Sequence, residues 1–183
     1  MVALDDIVKG CAEGKRQAQE DLYRLLAGKM YSVCLRYSRD QDEAKDNLQD
    51  GFIKVYSNIK QFKGAGSFEG WVRRIMVNTA LQKYRGQSQL YALNDNETKA
   101  YNIPVENVMD AMGEKELLEM IKELPPRYKL VFNMYAIEGY SHKEISEMLD
   151  ITEGTSKSNL SRARDILQNK LKLLMDERTF LIS

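Results

Sequence analysis

The stretch Gly139–Leu167, GYSHKEISEMLDITEGTSKSNLSRARDIL, constrains this chain more than any other part of it. It predicts two helices joined by a tight turn. Ser141 and Glu144 have the S-x-x-E spacing of a capping box, so one helix should begin there. Ile145, Met148 and Leu149 give that helix a buried side, and Asp150 to Glu153 interrupt the pattern. A second helix should run from about Glu153, because Leu160, Ala163, Leu167 and Leu171 recur at three- and four-residue intervals. Lys157, Ser158, Ser161 and Arg162 form two adjacent rows roughly opposite that apolar face. Long cations and short hydroxyls on an exposed helix suit a reader of the DNA major groove. Arg and Lys reach guanine edges and phosphates, and Ser reaches either. A helical hairpin with a solvated basic face would share the pattern, so the rest of the chain has to decide.

From the start, Leu4, Ile7, Val8 and Cys11 predict a short amphipathic helix ended by Glu13-Gly14. Ala18, Leu22, Leu25 and Leu26 predict a second helix, interrupted at Gly28, and Met30, Val33, Cys34 and Tyr37 a third. All three are core-forming. A longer helix begins at Asp42, with Ala44, Leu48, Phe52, Val55, Ile59 and Phe62 in one apolar stripe. Asp46, Gln49, Asp50, Ile53 and Ser57 run along another face. An acidic row with an isoleucine in it reads as a solvated charged face or as a docking surface for a basic partner, with Ile53 as the apolar contact.

Lys63-Gly64-Ala65-Gly66-Ser67 is a loop, and Ser67 is placed to cap the next helix. There Phe68, Trp71, Val72, Ile75, Met76 and Thr79 should face inward, with Trp71 as core rather than a stacking platform. Arg74, Asn78, Gln82 and Arg85 form an outward polar row beside Arg73. A glycine-containing loop leading into such a helix suits a nucleic-acid backbone, and loop plus Asn78 could hold a base.

Gly86 to about Gly113 loses periodicity and reads as an extended acidic linker. A second helical domain starts near Glu114, carried by Leu117, Leu118, Ile121 and Leu124. Pro125-Pro126 stops that helix and Pro126 starts the next, with Tyr128, Val131, Phe132, Tyr135 and Ala136 inside and Gly139 at its end. No strand-like alternation or internal repeat is present, so the expected fold is all-α: two small helical domains, a bundle and a helix-turn-helix, joined by a flexible linker. The expected divisions are 1–88 for the first domain, 89–113 for the linker, 114–176 for the second domain and 177–183 for a tail.

Charge follows the same divisions. The formal total is zero, but Gly70–Leu90 holds four cations and no acid, and Ile151–Leu174 is net +3. Asp40–Asp50 and Asn94–Glu116 are each net −4. Alternating basic and acidic segments suggest two kinds of partner surface. Cys11 and Cys34 lie on apolar stripes and read as buried free thiols. His142 is the sole histidine, and no C-x-x-C is present, so neither a metal site nor a cofactor is expected. No Ser/His/Asp or Cys/His set supports an enzyme. No apolar run reaches membrane-spanning length and no signal peptide opens the chain, so a soluble cytoplasmic protein without membrane insertion is expected.

Three segments together resemble the extracytoplasmic-function sigma factors, the minimal members of the sigma-70 family of bacterial initiation factors. DEAKDNLQDGFIKVY (Asp42–Tyr56) is similar to family region 2.2, and Gln61–Arg85 to regions 2.3 and 2.4. Leu124–Leu167 is similar to region 4. The resemblance spans about Asp21 to Lys172 in the family's order.

It implies a promoter-specificity subunit, not an enzyme, whose partners are core RNA polymerase (β′ coiled coil and β flap) and promoter DNA. Asp46, Gln49, Asp50 and Ile53 match the helix that docks the β′ coiled coil. Lys63, Gly64, Ala65, Gly66, Ser67 and Asn78, with Arg74 beside them, match the part that captures a flipped base of the −10 element. Lys157, Ser158, Ser161 and Arg162 match the helix that enters the −35 major groove. The family is usually held inactive by an anti-sigma factor, which implies such a partner, with the acidic face and linker as places for it. Ser156 stands where the family commonly has an aliphatic residue, which implies looser packing under the recognition helix. The alternative is a two-domain helix-turn-helix regulator that binds duplex DNA without polymerase.

Overall fold

The computed structural model describes residues 3–88 and 114–182, with side chains over 3–82 and 117–174. The described residues are helical, without strands, and the chain divides into two units, 1–93 and 94–183. The expected linker, 89–113, lies outside the described residues.

In the first unit, α1 (Leu4–Ala12) ends at Glu13, and Gly14 turns the chain with φ 78°. Helix α2 then runs without a break from Arg16 to Tyr37. The interruption expected at Gly28 is therefore absent. A glycine costs a helix interior about 1 kcal/mol relative to alanine. Leu26, Met30 and Val33 around it are buried, and each such burial stabilises by roughly 1.5–3 kcal/mol, so tertiary packing wins. Leu25 was expected inside and is 52% exposed.

Helix α3 (Gln41–Asn58) is capped by Asp40, whose carboxylate accepts from the Glu43 N–H at 2.8 Å. The α2–α3 corner is held by side chains. Asn47 Nδ2 donates to Ser38 Oγ at 2.9 Å, and Ser38 Oγ donates to the Cys34 carbonyl at 2.8 Å. All three residues are buried. A single 3-10 turn (Ile59–Gln61) follows, and after the loop comes α4 (Phe68–Ser88). Ala44, Leu48, Phe52 and Val55 of α3 meet α2 and α4 in the core, as their spacing predicts. Gly51 brings α3 close to α4: a Cβ there would lie 2.2 Å from Met76 Sδ. On α4, Val77, Ala80 and Leu81 are buried together with Phe68, Val72, Met76 and Thr79, a wider inner face than one stripe implies.

In the second unit, α5 (Glu114–Lys122) leads to α6 (Pro126–Phe132), with Pro126 in its first turn. A π-turn, Asn133–Ile137, extends α6, and Gly139 leaves it at φ 77°. The capping box forms at α7 (His142–Leu149). The Glu144 N–H donates to Ser141 Oγ at 3.2 Å, and the Ser141 N–H donates to Glu144 Oε2 at 3.0 Å. Asp150 makes the turn in the left-handed region at φ 56°. Helix α8 then runs from Glu153 to Ile182, through the residues expected to form a tail. Leu160, Ala163, Leu167 and Leu171 are buried with Ile145, Leu130, Val131 and Phe132, one core for the unit.

Candidate nucleic-acid and partner interfaces

On α3, Asp46, Gln49 and Asp50 are exposed, and Ile53 is 63% exposed in the same row. An isoleucine that open to water loses the roughly 1.5–3 kcal/mol its burial would contribute. Ser57, next in the row, folds back to donate to the Ile53 carbonyl at 2.8 Å. Lys54 Nζ, one position away, donates to Gln82 Oε1 on α4 at 2.7 Å. The row's chemistry is four-residue helical spacing, negative charge and one apolar contact.

The loop before α4 is exposed over Lys63, Gly64, Ala65, Gly66 and Ser67, and both glycines have positive φ, 76° and 90°. L side chains rarely adopt that backbone, so the loop shape depends on them. Its ends are fixed. Phe62 meets Phe68 edge-to-face with ring centres 5.1 Å apart, and Trp71 lies 5.7 and 5.6 Å from the two. Trp71 is half-buried in this cluster, less enclosed than the core position its spacing predicts. Ser67 caps α4 by accepting from the Gly70 N–H at 3.0 Å. Arg74, Asn78 and Gln82 form the expected exposed row, about 16 Å of helical rise separating Ser67 from Asn78. Arg85 belongs to the stretch whose side chains lie outside the described residues.

On α8 the expected reading face is altered. Lys157 is exposed, 4.0 Å from Glu153. Ser158 is half-buried, and its hydroxyl donates to the Thr155 carbonyl at 3.0 Å. Ser161 is 7% exposed, not on an open row. Arg162 is half-buried against α6, its guanidinium 6.0 Å from the Tyr128 ring centre and Nη1 donating to Tyr128 Oη at 3.3 Å. Helix α8 packs against both α6 and α7, and burial on it spreads beyond the apolar stripe. Helical periodicity gives direction but not how far along the helix its neighbours reach. Thr152, at the turn, was missed: its hydroxyl accepts from the Thr155 N–H at 3.0 Å and starts α8, a cap visible in its type and place.

Ser156 does not leave a loose site. It is 0% exposed, and its hydroxyl is 2.9 Å from His142 Nδ1. Burial, then Lys157 and Arg164, hold the His142 pKa below its ordinary 6.5. The folded unit therefore favours neutral imidazole. Its stability contribution is complete above the unfolded value and is lost as pH falls through the lower folded one. Thermal melting from about pH 7.5 to about pH 5.5 should show a falling midpoint, and His142→Phe should flatten the fall. An unchanged slope in that variant would put the titration elsewhere.

Among the described residues, no helix is long and apolar enough to cross a membrane, and no cluster of His, Cys, Asp and Glu could hold a metal. Cys11 and Cys34 are buried and form no disulfide.

A helix-turn-helix unit alongside a helical unit with an acidic, partly apolar row defines an all-helical protein of DNA-binding type. Family models agree: sigma-70 region 2 matches residues 22–89, and sigma-70 region 4 matches residues 114–167. The ECF RNA polymerase sigma-E factor of Haemophilus influenzae is 27% identical over 181 residues, covering 92% of this chain and 95% of that one. The ECF RNA polymerase sigma factor SigW of Bacillus subtilis is 29% identical over 177 residues, covering 90% and 95%. The solved structure of the sigma factor RpoE with the anti-sigma factor NepR from Bartonella quintana shares the fold, at TM-score 0.53 and 19% identity, covering 84% of this chain and 96% of that one. The chain belongs to the sigma-70 family, as an extracytoplasmic-function sigma factor. Such proteins are transcription initiation factors that bind DNA, not enzymes.

Proposed function

We propose that this chain acts in the cytoplasm, where it binds core RNA polymerase and directs it to promoters carrying −35 and −10 elements. The observation that carries the polymerase half is the acidic row of α3 with Ile53 open beside it. Charged groups would steer the encounter and Ile53 would supply the apolar contact with the β′ coiled coil. The C-terminal unit meets the β flap and the −35 duplex. On α8, Lys157 reaches phosphate or a base edge, with Ser158 beside it. Arg162 and Ser161 contribute less to direct readout than their spacing suggests, because both are partly or wholly covered. The loop Lys63–Ser67 and the row Arg74 and Asn78 hold the opened −10 strand, with one base extruded. An anti-sigma factor that covers the acidic row would compete directly with polymerase.

A titration of the chain against bacterial core RNA polymerase tests the reading. Saturable one-to-one binding is expected. Specific duplex binding with no affinity for polymerase would favour a stand-alone regulator instead. Asn78→Ala should slow open-complex formation on duplex promoters about tenfold, since a lost hydrogen bond to an extruded base costs roughly 1–1.5 kcal/mol. Pre-melted templates should be used by the variant almost normally. A variant that melts duplex promoters at the parental rate would remove Asn78 from base capture.

A further inference from the structure

The imidazole of His142 joins three elements. His142 opens α7, its Nδ1 lies 2.9 Å from the hydroxyl of Ser156 in the first turns of α8, and its ring stacks on Tyr135 of the π-turn. The stack is close and nearly parallel, with centres 4.6 Å apart and planes at 21°. Arg164, two turns along α8, lies 5.8 Å from the same Tyr135 ring. A buried hydroxyl without a partner is costly, and Ser156 has no exposure to water. His142 is the chain's sole histidine, so no other residue of that type could make the bond. The turn between the helices is short and pivots on Asp150 in the left-handed region, so a tether across it limits how α8 rotates against α7. Lys157 follows Ser156 directly and is exposed.

We infer that His142 and Ser156 are positioning residues, whose hydrogen bond beneath Tyr135 sets the angle at which α8 presents Lys157 and Ser158 to duplex DNA. The inference rests on the promoter-reading role of α8 proposed above. Neither side chain needs to touch DNA. With the ring neutral, either the ring nitrogen or the hydroxyl donates, and loss of the imidazole takes this partner from a fully buried hydroxyl, while loss of the hydroxyl unties the half-buried ring. Removing both in favour of apolar groups of similar shape relieves that penalty.

The test uses the full chain reconstituted with core RNA polymerase, and a duplex library randomised across the upstream and downstream promoter elements. Bound duplexes are sequenced, and thermal melting is recorded for each variant. The parent should enrich a defined upstream motif; if it enriches none, the promoter-reading role fails before the tether is examined. His142→Phe keeps the stack, and Ser156→Val fills the site with an aliphatic group. Each should flatten upstream enrichment about tenfold while downstream enrichment and polymerase binding stay unchanged. The double variant should recover most of the upstream enrichment. Two results would overturn the inference. One is a single variant with parental enrichment despite a lowered melting midpoint, which would make the bond purely structural. The other is a double variant as impaired as the two singles combined, which would mean the residues act separately.

Discussion

Asp50→Lys is expected to weaken binding to core RNA polymerase about a hundredfold, with helical content retained. Asp50 is exposed on α3 between Asp46 and Ile53, on the face proposed to meet polymerase. A lysine would face a basic partner with like charge, and such juxtapositions cost several kcal/mol; roughly 2.7 kcal/mol is a hundredfold. Much of the loss should be in the association rate and should shrink at high salt, where exposed charges are screened. Surface-immobilised polymerase at two salt concentrations would measure both. Parental affinity at low salt would remove α3 from the polymerase interface.

The adjacent residue should behave in the opposite way. Gly51→Val is expected to destabilise the first unit by about 3 kcal/mol, seen as a lower denaturant midpoint, with polymerase affinity preserved in whatever remains folded. An added Cβ would meet Met76 Sδ at 2.2 Å, so Met76, fully buried on α4, would have to shift within the core. Gly51→Ala should cost less, because alanine regains about 1 kcal/mol of helix propensity against the same clash. Shortening the opposing side chain should restore part of the stability, so Gly51→Val with Met76→Ala should be more stable than Gly51→Val alone. Equal stability of these two would mean the contact between α3 and α4 is not what glycine serves there.

Local signals in this chain were legible; signals that depend on neighbours were not. The capping box of Ser141 and Glu144, the proline start of α6 and the positive-φ Gly139 each involve a few adjacent residues, and each is where the spacing put it. The acidic row of α3 could be read because its residues share one face and are exposed on it. Gly28 misled because the weak local cost of glycine is outweighed by the burial of Leu26, Met30 and Val33. The exposure of Ser161 and Arg162 was misjudged because α8 packs against two helices, which no single-helix pattern contains. Ser156 looked like a packing defect because its partner is fourteen residues away and reached only through the tertiary fold. The π-turn that carries Tyr135 to that partner has no sequence signal of the kind that caps give.

The ring cluster at the foot of the loop has an optical consequence. Trp71 is the chain's one tryptophan, and it lies against Phe62 and Phe68, the residues that bracket Lys63–Ser67. Its indole emission therefore originates beside the segment proposed to grip the opened strand, with no second indole to dilute the signal. Half-buried emitters respond in colour and intensity when water leaves or enters their surroundings, so capture of a single-stranded oligonucleotide becomes observable in the unlabelled chain, in real time.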